Sequence, residues 1–517
     1  ISEATKYYQY FINQGYKDYR VFSNYGNILK DLRQLKDAEL FTRKAIKIKP
    51  NLAVAHYNLG NILRDLANLQ EAELSFRKAI EINPDFAEAY SNLGIILKDL
   101  GNLQEAELFT RRAIEINPNF AMAHLNLGNI LRDIGNLQGA ELSTRKAIEI
   151  KPDYAEAHSN LGIILKYLGY LQEAELSTKK AIEVNPDHAE AYSNLGTILT
   201  DLGKLDEAEL SIRKAIELRP DYAKAYYSLS LLKYSDENKI LNNQLFSKSI
   251  LNNKLKKELI DIYFARANIL HKEKNYKDSS KFLRLGNELK LTLNPSKVDR
   301  LINQSKVLLI ESNKEEISQK EYAESSQSIF IVGMPRSGST LLESILSMKD
   351  DVYDLGEVNI LEESFLQCKK SKQEVNLAEL YVEKVTNKTE LNITTNKWLY
   401  NYQYAGIIAK QIPNAKIIHC YRNPLDNILS IYRAHFARKN YYSSSLVDCT
   451  RVYLDQEKIM TQYKKRFGSN IYDLNYDLLV SNPYKEIISL ISWLGWNWDE
   501  AYLSPHLNPR SVSTASN

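Results

Sequence analysis

The sequence predicts a multidomain chain in which an all-α solenoid of helical hairpins is followed by an α/β domain built on a parallel sheet. Three observations carry that prediction. Prolines at 50, 84, 118, 152, 186 and 220 recur every 34 residues, in step with glycines at 26, 60, 94, 128, 162 and 196. Beyond residue 320 the period is lost, and short β-like runs alternate with helical ones. The first of those runs feeds a Gly/Pro/Ser loop, "GMPRSGST" (333–340), that opens a helix.

The repeat "DFAEAYSNLGIILKDLGNLQEAELFTRRAIEINP" (85–118) shows how each hairpin is written. Ala89, Leu93, Ile96, Leu97 and Leu100 form an apolar stripe of helical period that a neighbour must cover. Gly94 falls inside this helix, where glycine normally costs about 1 kcal/mol relative to alanine, so its recurrence in every copy points to close helix approach. Gly101 and Asn102 break the chain, Ala106, Ala113 and Ile114 line a second helix, and Pro118 stops it. A 34-residue unit of two helices is the tetratricopeptide signature, and six copies run from about 17 to 220. "EATKYYQYFINQG" reads as the second helix of an earlier repeat, and "DIYFARANILHKEKNYKDSSKFLRLGNELK" (261–290) as a diverged later one. Stacked units of this kind form a right-handed solenoid whose concave groove is expected to hold a peptide or another protein. His56, His124, His158 and His188 recur with the repeats and are read as groove or packing residues.

At 517 residues the chain has room for about two to four domains. A net charge of +3, with 25% charged residues, is too small to call for nucleic acid or an anionic membrane, so any anion site must be local. Cys368, Cys420 and Cys449 give neither a disulfide framework nor a zinc pattern and fit reduced thiols, hence a cytoplasmic expectation. No apolar run approaches the roughly 18 to 20 residues of a membrane span. The first residue is Ile, so the sequence is expected to begin inside a longer chain, where a signal peptide would lie outside it.

In the second half, "SIFIVGM" (328–334), "AKIIHCYRNP" (415–424) and "GSNIYDLNYDLL" (468–479) read as strands, and "YKEIISLISWLGW" (484–496) as an amphipathic helix. A site is expected at the carboxyl ends of such strands. Gly333 and Gly338 keep the glycine spacing of the familiar phosphate loop and Thr340 is in place. Ser339, however, stands where the lysine should be, and the only cation is Arg336. The strand before residue 424 ends in Tyr421 and Arg422 with no carboxylate for Mg²⁺, and Ser430 lies two helical turns on. Two anion grips without a metal ligand suggest an adenosine bisphosphate.

These motifs resemble those of sulfotransferases that use 3′-phosphoadenosine 5′-phosphosulfate (PAPS). "PRSGSTLL" (335–342) resembles their 5′-phosphosulfate loop, and "RNPLDNILSIYRAHF" (422–436) their 3′-phosphate motif, with Arg and Ser eight residues apart. Joined to tetratricopeptide repeats, the pair resembles bacterial repeat-containing sulfotransferases with a catalytic domain akin to the tyrosylprotein sulfotransferases. The resemblance implies an all-α tetratricopeptide solenoid at 1–235, a helical linker with a diverged repeat at 236–315, and a P-loop-like parallel-sheet sulfotransferase domain at 320–517. It implies that Arg336, Ser337, Gly338, Ser339 and Thr340 hold the 5′-phosphosulfate and that Arg422 and Ser430 hold the 3′-phosphate, with no metal required. Glu357 in "DLGEVNIL" stands where that group has its base, and Lys397 in "TTNKWLYN" where it has a lysine near the sulfonate, although Leu399 replaces the usual proline. Tyr476 resembles an aromatic lining the nucleotide pocket. Ser516 resembles a phosphate-contacting serine in a last loop whose remainder the sequence lacks, so the domain is expected to be C-terminally truncated.

The implied reaction moves a sulfonate to a hydroxyl of a protein tyrosine or a carbohydrate, with the repeats binding acceptor or partner. His419 is read as a core histidine, His435 and His506 as lesser candidates for the base, and Trp493, Trp496 and Trp498 as packing. Two rival readings remain open: a repeat scaffold with a degenerate nucleotide-binding domain, and an ATP-dependent kinase.

Overall fold

A computed structural model of the chain describes residues 2–233, 238–314, 326–371, 375–436 and 440–508. The chain divides into two units, Ile1–Pro220 and Asp221–Asn517. The residues expected as a helical linker thus share the second unit with the parallel sheet.

In the first unit, α1 (Ser2–Asn13) precedes six hairpins. These are α2/α3 (Tyr19–Asp31, Leu35–Ile48), α4/α5 (Ala53–Asp65, Leu69–Ile82), α6/α7 (Ala87–Asp99, Leu103–Ile116), α8/α9 (Ala121–Ile134, Leu137–Ile150), α10/α11 (Ala155–Leu168, Leu171–Val184) and α12/α13 (Ala189–Asp201, Leu205–Leu218). Each hairpin packs on the next, and the stripe residues Ala89, Leu93, Ile96 and Leu97 are fully buried. The reason for the helical glycines is geometric: a Cβ on Gly94 would run into Thr110 Oγ1, which donates to the Ala106 carbonyl at 2.8 Å. The same partner meets Gly26, Gly128 and Gly162 (Thr42, Thr144, Thr178), whereas Phe76 fills the place at Gly60 and Ile212 at Gly196. His56, His124 and His158 each place Nε2 2.8–2.9 Å from the carbonyl of the preceding repeat-end proline, which is a packing role.

The second unit begins with α14 (Ala223–Leu231), α15 (Lys239–Phe246), the hairpin α16 (Lys256–Lys272) and α17 (Tyr276–Leu293), and α18 (Val298–Lys314). The sheet domain then runs β1 (Gln327–Gly333), α19 (Ser339–Leu346), β2 (Val352–Asp354), α20 (Ile360–Lys370), α21 (Leu377–Thr386), β3 (Ile393–Asn396), α22 (Ala405–Gln411), β4 (Lys416–Tyr421), α23 (Pro424–Arg433), α24 (Leu446–Phe467), β5 (Ile471–Asn475), α25 (Tyr476–Ser481) and α26 (Pro483–Leu494). All strand pairs are parallel, in the order β2-β3-β1-β4-β5. β2 and β3, of three and four residues, were not read from the sequence. Helices cover both faces, and β1 is buried on both: Phe330 and Val332 face one core, Ile329 and Ile331 the other. The order reverses at β1, because the chain goes from β1 to the edge strand β2, fills β3 between them, and then adds β4 and β5 on the other side.

The hairpin α16/α17 supports α23. Asn287 Nδ2 donates to the Tyr432 carbonyl at 3.0 Å, Lys290 Nζ to the Phe436 carbonyl at 3.2 Å, and Arg433 to His271 Nε2 at 2.9 Å. His435 lies 2.9 Å from Asp261 and stacks on Phe264, a structural setting for that histidine. Burial lowers the Lys290 ammonium to about 8, with Asp261 and Cys449 opposing.

Two stability measurements check this packing. Gly94→Ala, which would ordinarily favour a helix, is expected to cost the first unit about 1–3 kcal/mol in urea titrations, and a second change, Thr110→Ala, to return most of it by making room. For Lys290, the unfolded side chain keeps its proton to about 10.4 while the folded one releases it at about 8, so the unfolded state binds more protons in between. Stability of the second unit is therefore expected to rise by about 2–3 kcal/mol from pH 8 to pH 10, and denaturant midpoints of Lys290→Met to lose that slope.

Candidate active site

Two loops leave adjacent strands at the point where the strand order reverses, the place where open α/β sheets bind ligands. The first follows Gly333, which pairs with Cys420 of β4. At φ +147°, and with a Cβ driven into the Cys420 carbonyl, only glycine fits there. The loop turns through Arg336 (φ +67°) and Gly338 (φ +91°) into α19. A non-glycine residue in that region costs on the order of 1–3 kcal/mol, and two contacts from α23 hold it. Asn427 Nδ2, fully buried, donates to the Pro335 carbonyl at 3.0 Å, and Arg336 Nε donates to Ser430 Oγ at 3.3 Å. The amides opening α19 have no acceptor within the helix and carry the partial positive charge of its dipole. Beside them the buried Ser337 Oγ has no hydrogen-bond partner.

The second loop follows Tyr421. Asn423 caps α23 through the amides of Leu425 and Asp426, and its own amide donates to Asp477 at 2.8 Å. The Arg422 guanidinium lies 5.1 Å from the centre of the Tyr476 ring and 3.9 Å from Asp426, and its buried Nε has no hydrogen-bond partner. Tyr476, the first residue after β5, also packs flat against the first loop: a Cβ on Gly338 would enter its ring. One aromatic side chain thus touches both loops.

A third group lies at the ends of β2 and β3. Gly356 (φ +67°) turns the chain toward Glu357, with its amide on Asp354 Oδ1 at 2.6 Å. The Lys397 amide donates to the Gly356 carbonyl at 3.1 Å, which stitches the two turns together. Lys397 is fully buried, its Nζ 2.5 Å from Glu343 Oε2 and 3.9 Å from Glu357 Oε1. Glu343, on α19, is also fully buried; burial first and Asp354 second push its carboxyl well up, and Lys397 opposes them. The turn keeps its shape without proline at 399 because Asn396 Oδ1 accepts from the Trp398 amide and from Asn401 Nδ2, both at 3.1 Å.

Arg336, Ser337, Gly338, Ser339 and Thr340 thus lie on the first loop and the start of α19, Arg422 on the second loop, Ser430 on α23 and Tyr476 just beyond β5, while Glu357 and Lys397 stand on the turns that follow β2 and β3. Ser516 lies outside the described residues. His419 is buried in β4 between Asp473 (2.9 Å) and Gln456 (2.5 Å). Trp493, Trp496 and Trp498 pack against the sheet core, Trp496 donating to Gln327. Sequence reading missed Glu343, Asn396 and Asn427. The one available signal was a carboxylate set in the apolar run "TLLESIL". Among the described residues no group of His, Cys, Asp and Glu is placed to hold a metal, and no helix is long and apolar enough to cross a membrane.

The residues present fit a phosphate-bearing ligand: the orphaned Ser337 and Arg422 atoms and the glycine cradle lie on the loops that follow the adjacent strands β1 and β4. Gly338→Ala is expected to weaken binding of adenosine 3′,5′-bisphosphate at least about tenfold, about 1.4 kcal/mol, since Tyr476 must move. Calorimetric titration checks this.

Family models match both parts of the chain. The model of the sulfotransferase family matches residues 328–500. Tetratricopeptide-repeat models match 19–52, 53–86, 87–120, 109–141, 128–169, 155–188 and 189–222. An uncharacterized protein of Aquifex aeolicus (strain VF5) is 31% identical over 216 residues, 37% of this chain and 28% of that one, so the chain covers under a third of that relative's length. Among solved structures, YrrB, a tetratricopeptide protein with an unusual peptide-binding site, is 25% identical over 36% of this chain and 96% of its own (TM-score 0.29). A thermophilic tetratricopeptide protein of Thermus thermophilus is 24% identical over 38% of this chain and 100% of its own (TM-score 0.31).

Proposed function

We propose that this chain, which joins tetratricopeptide repeats to a sulfotransferase-family domain at 328–500, transfers a sulfonate group from PAPS to a hydroxyl of a protein or carbohydrate acceptor. One observation carries the reading: two buried polar atoms, Ser337 Oγ and Arg422 Nε, lack partners on adjacent loops at the strand-order reversal. A nucleotide with two separated phosphates would answer both.

In this reading Arg336, Ser337, Gly338, Ser339 and Thr340 bind the 5′-phosphosulfate, Arg422 and Ser430 the 3′-phosphate, and Tyr476 borders the nucleotide between them. Ser516 would add a phosphate contact. Glu357 takes the proton of the acceptor hydroxyl as its oxygen attacks sulfur, an effect usually worth about 10²- to 10⁴-fold. The bond from sulfur to the bridging oxygen breaks, its electron pair stays on the 5′-phosphate, and adenosine 3′,5′-bisphosphate leaves. Arg336, Lys397 and the loop amides stabilise that gathering charge, an electrostatic effect that commonly outweighs the others in such reactions. The repeats serve as the module that binds acceptor or partner, and the chain acts in a reducing, cytoplasmic setting.

The test is calorimetric titration with adenosine 3′,5′-bisphosphate and, separately, ATP with Mg²⁺, on the wild type, Arg422→Ala and Glu357→Gln. We expect metal-independent binding of the bisphosphate, weakened more than about tenfold, or roughly 1.4 kcal/mol, in Arg422→Ala. Glu357→Gln should bind the bisphosphate as wild type does while losing transfer to phenols and sugars. Tighter binding of ATP with Mg²⁺ would favour the kinase reading, and no nucleotide binding the scaffold.

A further inference from the structure

We infer that Glu343 is a positioning residue that holds the Lys397 ammonium at the transferring group and apart from Glu357; this rests on the sulfotransferase reading above. Glu343 lies one helical turn beyond the phosphate loop, on the face of α19 that also buries Leu342, Ile345 and Leu346. A carboxylate in such a place is costly unless it is paired, and the cation that meets it, at 2.5 Å, is Lys397. Lys397 reaches across from the end of β3, where its amide is tied to the turn that carries Glu357. The ion pair thus joins the helix of the phosphosulfate loop to the turn of the base.

The unequal distances give the pair its role. A fully buried ammonium with no counter-charge sheds its proton. Lys397 meets Glu343 at 2.5 Å and opposes the burial and the Asp354 carboxylate that push the Glu343 carboxyl up, while Glu357 stands at 3.9 Å, outside hydrogen-bond reach of the Lys397 nitrogen. The Lys397 side chain is thereby held against Glu343 rather than against the base. The other groups facing the cluster are Asp354 of β2, which acts on Glu343, and Tyr400, which senses Glu357.

The experiment measures PAPS affinity by calorimetry from pH 6.5 to pH 9.5 on the full chain, with turnover of PAPS to adenosine 3′,5′-bisphosphate followed with phenol as acceptor. Wild type should bind with an affinity that is flat with pH. In Glu343→Gln the affinity should fall as the pH rises, by up to about tenfold per pH unit, with the alkaline limb of kcat moving to lower pH. Glu343→Asp should restore most of the flat profile, which a packing role would not require of a shorter side chain. A folded Glu343→Gln variant with the wild-type pH profile would overturn the assignment. If that variant does not fold, the Glu343→Met/Lys397→Met pair, apolar on both sides, carries the test. Weakened, pH-independent affinity there supports the role, and wild-type affinity overturns it. Absence of PAPS binding in the wild type would instead overturn the sulfotransferase reading itself.

Discussion

The site depends on the hydrogen-bonded pairing of β1 with β4. These strands are far apart in sequence, and the chain crosses to β2 and then β3 before returning to β4, so the loops that follow β1 and β4 lead to opposite sides of the sheet, where a crevice is expected. Gly333 closes the pairing, with its Cα against the Cys420 carbonyl, and any side chain there would force the loops apart. Because the loops start from adjacent residues in register, Asn427 and Ser430 of α23 can reach back to Pro335 and Arg336. Each loop is thereby shaped by the other.

The second loop has its own foundation. α23 does not sit on the sheet alone: Asn287, Lys290 and His271 of the hairpin α16/α17 hold the backbone and side chains at 432–436. That hairpin is written like a diverged repeat, yet it packs as part of the second unit. Its buried polar contacts need the partners that the sheet domain provides, and Lys290 shows how much desolvation they tolerate.

What the sequence discloses follows from where the information is stored. The solenoid was readable because each copy repeats its own punctuation: proline at the helix end, glycine at the helix crossing, and a gap of 34 residues. The glycine turn from β1 into α19 was readable because glycines at 333 and 338 are required by local backbone geometry, and the spacing of Arg422 and Ser430 because the first lies just before one short helix and the second within it. β2 and β3 were not, since strands of three and four residues carry no periodicity. Nor was the bond between Glu343 and Lys397, which joins elements that meet only after the sheet has formed. Asn396, doing the work of an absent proline through two hydrogen bonds, could be recognised only once the turn was in view. The residues missed are those whose reason for being there lies in another part of the chain.

The four hairpins whose two helices cross at a glycine facing a threonine, at Gly26, Gly94, Gly128 and Gly162, are built on the same contact. Unequal recombination that removes or duplicates one such 34-residue block leaves the helix crossing inside every surviving hairpin intact. Groove length can accordingly drift by whole repeats over evolutionary time with little change in the stability of each joint, while the chemistry encoded beyond residue 320 is inherited unaltered. The length of the repeat array and the sequence of the sheet domain would then diversify on separate clocks.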